Sequence, residues 1–220
     1  MPVSHSSREP REPREPRAAG HPRARLSADD RRRQLIGIGL SRLTEKPLHE
    51  LSIDEVAAQA GISRGLLFHY FATKSDFYLA VVEAAGQRVL RNTAPDPHQS
   101  AHDQLQTMVR GFVEQIERRR TSYISFVRGA GGGHVQVVEV YDRIREVMTQ
   151  RVLAALSSDG VAPTDAATRD VTRDVVHSWW AYVEDRAIEW AGRPAGRRAP
   201  ELDGLVAHCV ASLHRLLDTG

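Results

Sequence analysis

The segment "GISRGLLFHYF", Gly61 to Phe71, holds six large apolar or aromatic side chains in eleven residues, with Ser63, Arg64 and His69 as its polar groups and Gly65 beside them. A buried helix has no use for the polar trio, and a solvent-facing helix does not carry this much Leu and Phe. Extended back to Ile53, the segment becomes two short helices joined by a turn at Gly61, which is the helix-turn-helix plan. Ala57 is small where the two helices cross, and Gly61 permits the positive φ that reverses the chain. Val56, Ala60, Ile62, Leu67 and Tyr70 fall on the inward face. Ser63, Arg64, Gly65 and His69 are left outward at the start of the second helix. A few donors and a bare glycine, presented over a small three-helix core, suit the N-terminal end of a helix that enters a DNA major groove.

The flanking sequence is helical in period and dense in start signals. Ser27 precedes "ADDRRRQLIGIGLSRL", with Asp29 and Asp30 in the first turn. Leu35, Ile36, Leu40 and Leu43 share a face there. Gly37 and Gly39 lower the intrinsic propensity by roughly 1 kcal/mol each, so packing has to hold this helix. Ser52 caps the second helix, and Glu55 three residues on predicts a capping box. Ser63 caps the third helix and Thr73 a fourth, "KSDFYLAVVEAAGQRVL". No alternating strand pattern occurs, and the chain reads as all-α with about nine helices. "NTAPDPHQS", Asn92 to Ser100, is the best domain boundary. The organisation expected is a basic arm over residues 1–25, a helix-turn-helix domain over 26–72, a connecting helix over 73–92 and a larger helical domain over 93–220.

Composition sets the class. The chain has 220 residues, a formal net charge of +2 and one cysteine, Cys209, which cannot form an internal bridge. No secretory h-region and no membrane span are read, so a soluble cytoplasmic protein is expected. Residues 1–25 carry six Arg against three Glu, most of them in "REPREPREPR". Proline at every third position blocks helix there, and the arm reads as disordered with polyproline II character. The Gly-rich "RGAGGGH" lacks the Lys-Ser/Thr of a P-loop and follows no strand, so it is read as a break between helices. His98 and His102 sit at a helix start beside Pro97 and read as surface residues; neither a metal nor another cofactor is expected. No enzyme is expected.

"LSIDEVAAQAGISRGLLFHYFATKSDFYLAVVE", within the stretch from Ser27 to Val89, resembles the DNA-binding signature of TetR-family transcriptional regulators. The resemblance implies an N-terminal three-helix DNA-binding domain joined to a larger C-terminal helical domain for ligand binding and dimerisation. It also implies site roles. Ser52 and Lys74 correspond to phosphate-gripping positions, and Arg64 and Gly65, beside Ser63, to base-reading ones. His69 and Tyr70 match an aromatic pair that contacts the DNA backbone. Phe68 departs from the pattern, where tyrosine is common, and loses a hydroxyl. Pro47 stands where glycine is usual, which alters a turn and not the DNA face.

For the divergent C-terminal part, periodicity has to serve. Val171, Val175, Trp179, Val183, Ala187 and Trp190 form one stripe. Leu202, Val206, Cys209, Leu213 and Leu216 form an a/d seam. Both are too apolar for exposed helices. A dimer interface is therefore expected at Val175, Trp179, Val183, Leu202, Val206, Cys209, Leu213 and Leu216. Tyr123, Phe126, Tyr141, Trp179, Trp180 and Tyr182, with Arg128 and His134, supply the large walls and polar groups of a ligand pocket. The partners expected are a double-stranded DNA operator, a second copy of the chain, and a small, mostly hydrophobic effector. The expected action is release of a repressor from a palindromic operator. The alternatives are an activator without a ligand, or a small-molecule-binding protein or enzyme with a non-functional helix-turn-helix.

Overall fold

Ser27 opens α1, Ala28–Arg42, by accepting the Asp30 amide on its Oγ at 3.1 Å. Ser52 and Ser63 open α2, Ile53–Gln59, and α3, Arg64–Tyr70, in the same way, through the amides of Glu55 and Leu66. Thr73 opens α4, Lys74–Asn92. The reciprocal half of a box at Ser52 is not made: the Glu55 carboxylate takes Lys46 Nζ at 3.0 Å instead. A carboxylate gains more from an ammonium, which brings the opposite charge, than from a neutral amide. The box forms at Thr73, whose amide and hydroxyl both reach Asp76. This computed structural model describes residues 26–43, 45–46, 48–129, 135–158 and 165–218. The arm expected over residues 1–25, and His134, lie outside them.

Gly61 turns the chain between α2 and α3 at φ +68°, the left-handed region that the sequence requires of it. Leu35, Val56, Ala57, Leu67 and Phe71 are buried between α1, α2 and α3, with Phe77 and Val81 of α4 closing the cluster. Gly39 is where α1 presses on α4. A Cβ there would lie 2.6 Å from Val81 Cγ2 and 3.1 Å from Phe77 Cζ. Close packing thus offsets the poor helix propensity of α1.

The larger domain contains α5, Ala101–Gly129; α6, Val135–Ser158; α7, Ala166–Ala191; and α8, Ala195–Asp218. Eight α-helices and one 3-10 turn, Leu48–Glu50, are present among the described residues, with no strand. That is one fewer than the nine or so helices expected. α5 carries the stripe through Ile116 and the apolar "TSYISFVRG" in one helix, with a kink at Arg119, where φ is −141° and ψ 27°. The Gly and Pro content of "AGRPAGRRAP", Ala191 to Pro200, predicts a loop, but the segment is helical from Ala195. There Glu201 takes Arg193 at 2.6 Å and Arg197 at 2.9 Å, holding the first turns together.

The core of this domain corrects the expected interface. Trp179, Val183, Val206, Cys209 and Leu213 are each no more than 1% exposed within a single chain. Trp179 Nε1 donates to the Cys209 carbonyl at 2.9 Å, bolting α7 to α8. The apolar stripes close the chain's own core, because each faces α5 and the other, and these five residues present nothing to a partner. Of the residues expected there, Val175 and Leu202 are half-buried and Leu216 is 49% exposed; Val171 is 58% exposed.

α4 belongs to both cores. Phe77, Ala80 and Val81 lie in the first, Val89 in the second, and Val82 packs on Val137 and Val140 of α6 between them. At its far end α4 meets α5, where a Cβ on Gly111 would stand 2.2 Å from the Asn92 carbonyl oxygen. Gly111→Ala is therefore expected to lower stability by about 1–3 kcal/mol through overpacking against backbone. Gly37→Ala, with nothing within 4 Å of its new methyl, is expected to raise it by up to about 1 kcal/mol. Urea unfolding midpoints measure both, and equal midpoints for the two variants would contradict the packing described.

Candidate functional site

The outward surface of α3 is small and mostly polar. Ser63, Arg64, Gly65 and His69 are exposed, as is Leu66 at 41%. A Cβ on Gly65 would meet only Ser63 Oγ, at 3.9 Å, so the backbone there is open to close approach. Tyr70 is half-buried and sits edge-on to His69, with ring centroids 5.5 Å apart. Phe68 is half-buried and carries the Arg64 guanidinium 5.6 Å over its ring. Arg64 Nη1 also donates to Asp54 Oδ2 of α2 at 2.9 Å. In the free protein the expected base-reading cation is therefore held by a carboxylate on the preceding helix. Asp54 is a member of the site that the sequence reading missed; its spacing of ten residues from Arg64 carries no helical signal.

Lys74, at the start of α4, is exposed, with Nζ 4.9 Å over the Tyr78 ring. The Tyr78 hydroxyl donates to the Leu51 carbonyl, one residue before Ser52. Ser52, at the mouth of α2, is half-buried and spends its Oγ on the Glu55 amide. Lys74 and Ser52 are thus joined through Tyr78, and they lie at the starts of two different helices.

A cavity opens in the larger domain, with about 790 Å³ of empty space, mouth included. α4 supplies Val82, Ala85, Gly86 and Val89; α5 supplies Phe112, Gln115, Arg119, Ser122 and Tyr123; α6 supplies Tyr141, Ile144 and Arg145; α7 supplies Trp180; and Leu43, just past α1, completes the wall. Of the residues expected to bind a ligand, Tyr123, Tyr141 and Trp180 line it. Trp179 does not, being the core bolt to α8. Nor does Tyr182, whose hydroxyl pairs with His208 Nε2 at 2.7 Å on the α7–α8 surface. The side chains of Phe126 and Arg128, and His134, fall outside the described residues. The α4 contribution went unread because "AVVEAAG" looks like ordinary helix; its run of small residues is the signal that leaves room for a cavity.

Behind the wall, buried Glu184 accepts both tyrosine hydroxyls, from Tyr123 and from Tyr141, each at 2.6 Å. Burial, and then the Glu184 carboxylate, push both phenols well above their ordinary range. They stay protonated, and their hydroxyls are committed to Glu184. Among the described residues no group of three or more His, Cys, Asp or Glu is placed to hold a metal, and no helix is long and apolar enough to cross a membrane.

Residues 40–81 match the model of the bacterial regulatory proteins of the tetR family, and residues 101–213 match a tetracyclin repressor-like C-terminal domain. The chain belongs to the TetR family. The family is one of bacterial regulatory proteins. A TetR-family regulator of Streptomyces coelicolor superposes with a TM-score of 0.74 at 25% identity, covering 88% of this chain and 84% of that one. The transcriptional regulator AcuR of Cereibacter sphaeroides is 40% identical over 65 residues, 30% of each chain. The transcriptional activator FasR of Mycolicibacterium smegmatis is 28% identical over 149 residues, 64% of this chain and 66% of that one. The chain therefore spans less than two thirds of the length of these two relatives.

Proposed function

We propose that this TetR-family chain binds a palindromic operator as a homodimer and releases it when a small, mostly hydrophobic effector occupies the α4–α7 cavity. The observation that carries the reading is the double membership of α4. Its first turns close the core under the recognition helix, and its later turns wall the cavity. A ligand that reshapes the cavity acts on the same rigid element that positions α3. Moving the population from nearly all DNA-competent to nearly all incompetent takes roughly 5.5 kcal/mol of differential binding. The relative FasR is named a transcriptional activator; a reporter that falls or rises with the protein separates the two signs.

In the proposed complex Arg64 leaves Asp54 for a guanine edge, and Lys74 and Ser52 meet phosphates. His69 and Tyr70 lie along the backbone, and Ser63 and Gly65 allow close approach. Arg64→Ala is expected to cost roughly 1–3 kcal/mol on the operator and relax preference at one position per half-site. Lys74→Ala is expected to weaken every sequence alike and reduce the salt slope by about 1. Asp54→Asn is expected to tighten binding to all DNA, since it removes a negative charge beside the phosphates and a competitor for Arg64. Gel shifts on operator and random duplexes over a salt series read all three. Equal loss on both duplexes for Arg64→Ala would remove Arg64 from base reading.

The dimer is proposed through the outer faces of α7 and α8, at Val171, Val175, Leu202 and Leu216. Leu216→Glu is expected to give folded monomers by light scattering and to abolish operator binding, because two recognition helices must be held one DNA turn apart. Leu213→Glu is expected to unfold the chain, since it would bury an unpaired charge. A folded Leu216→Glu protein that remains dimeric moves the interface elsewhere.

A further inference from the structure

Beside the apolar cavity lies a second, polar cleft with about 580 Å³ of empty space, lined by Arg88 and Asn92 of α4 and by Gln115, Arg118 and Arg119 of α5. The two spaces share Gln115 and Arg119. The charge of the cleft is one-sided. Arg118 pairs with Glu114 at 3.7 Å, on the solvent side. Arg88 and Arg119 have no carboxylate at ion-pair distance among the described residues. Burial, with Arg88 and then Arg118 nearby, disfavours the charge on Arg119, yet a guanidinium does not give up its proton near neutral pH.

Arg119 has a second commitment. It is the one residue of α5 with non-helical dihedrals, and at that break its Nη1 donates to the Leu40 carbonyl of α1 at 2.8 Å, across 79 residues of chain. One residue of the ligand-side helix therefore lines both spaces and holds the last turn of α1, in the DNA-binding unit. Ser122, one turn further on, adds a bond from its Oγ to the Lys46 carbonyl at 3.4 Å.

We infer that the two spaces together take an amphipathic anion, with its apolar body between α4 and α7 and its carboxylate or phosphate head on Arg88, Arg118 and Arg119, and that the head takes Arg119 from the Leu40 carbonyl. The inference rests on the effector-responsive reading above and adds the chemical class of the effector and the residue that couples it to α1. The apolar walls exclude a wholly charged molecule. The arginines of the cleft oppose a cationic head. At the other end, among the described residues, the one cation, Arg145, donates to the His177 carbonyl and lies beside the Glu184 carboxylate that takes both tyrosine hydroxyls, whereas the cleft gathers three arginines with Glu114 as their one paired carboxylate, so the acid belongs at the cleft. Guanidinium binds carboxylate or phosphate through two parallel donors and an opposite charge, where the Leu40 carbonyl offers one neutral acceptor. An arriving head therefore competes well with a peptide carbonyl. Arg119 changes partner, and the tie between α5 and α1 is released where Leu43 already touches the cavity.

The test uses the full chain and four probes with a ten-carbon chain, below their micellar concentrations: decanoate, decyl phosphate, decan-1-ol and decyltrimethylammonium. Binding is read by calorimetry and by tryptophan fluorescence, and operator release by gel shift. One or both anions are expected to bind at least about tenfold more tightly than the alcohol, the equivalent of one bond to a charged group, and to release DNA. The comparison of decanoate with decyl phosphate identifies the head. Arg88→Gln, which leaves the Leu40 bond untouched, is expected to weaken the anions by about tenfold, leave the alcohol unchanged and leave DNA affinity without ligand unchanged. Arg119→Gln is expected to weaken the anions and to uncouple residual binding from DNA release. Alcohol binding as tight as the anions, or unchanged anion affinity in Arg88→Gln, overturns the inference. So does anion-driven release that persists in Arg119→Gln. A chain that shifts operator DNA while no probe binds also overturns it and leaves the regulator reading standing. Failure to shift any DNA overturns the regulator reading instead.

Discussion

The shared burial of α4 is the constraint on which the rest depends. A helix of nineteen residues, Lys74–Asn92, kinks sharply only where its ladder is interrupted, and here it is packed on both sides. Phe77 and Val81 fill the space under α1 and α3, while Val89 enters the core of the larger domain. Contacts too close for a side chain pin it near each end, Gly39 against Val81 and Gly111 against the Asn92 carbonyl. A displacement of the cavity wall at Val82, Ala85 or Gly86 therefore has few ways to dissipate before it reaches the recognition helix.

Electrostatics divides the work within the larger domain. At one end of the cavity a buried carboxylate is satisfied by two tyrosine hydroxyls, and the rings are fixed as a wall. At the other, arginines crowd with little compensation, and Arg119 finds a peptide carbonyl from a different part of the fold. Buried polar groups of the first kind confer rigidity when satisfied. Groups of the second kind are poised to exchange partners. The surface proposed to face DNA shows the same poise on a smaller scale, with Arg64 shared between the Phe68 ring and Asp54.

The DNA-binding unit was legible because its signals are local. The cap residues Ser27, Ser52, Ser63 and Thr73 each open the helix predicted from them, and Gly61 takes its positive φ. What was misread depends on long-range partners. Glu55 left its box for Lys46, and α5 kinks at Arg119 with no proline to announce it. The stripes of α7 and α8 were apolar as read, but periodicity reports that a face is buried and not by which neighbour. Trp179 and Leu213 are therefore core and not interface. Tyr123, Tyr141 and Trp180 were found as large side chains awaiting a wall. Arg119 was not, because nothing adjacent in sequence marks an arginine that bonds a carbonyl 79 positions away.

Native-state hydrogen exchange along α4 tests the central claim, that this helix is one mechanical element shared by two cores. In low denaturant, amides from Phe77 to Val89 are predicted to exchange through a single opening with a common free energy and a common denaturant dependence. Two separate opening events, with a break in protection between Val82 and Gly86, would mean that the recognition unit and the cavity come apart independently, and would contradict the account.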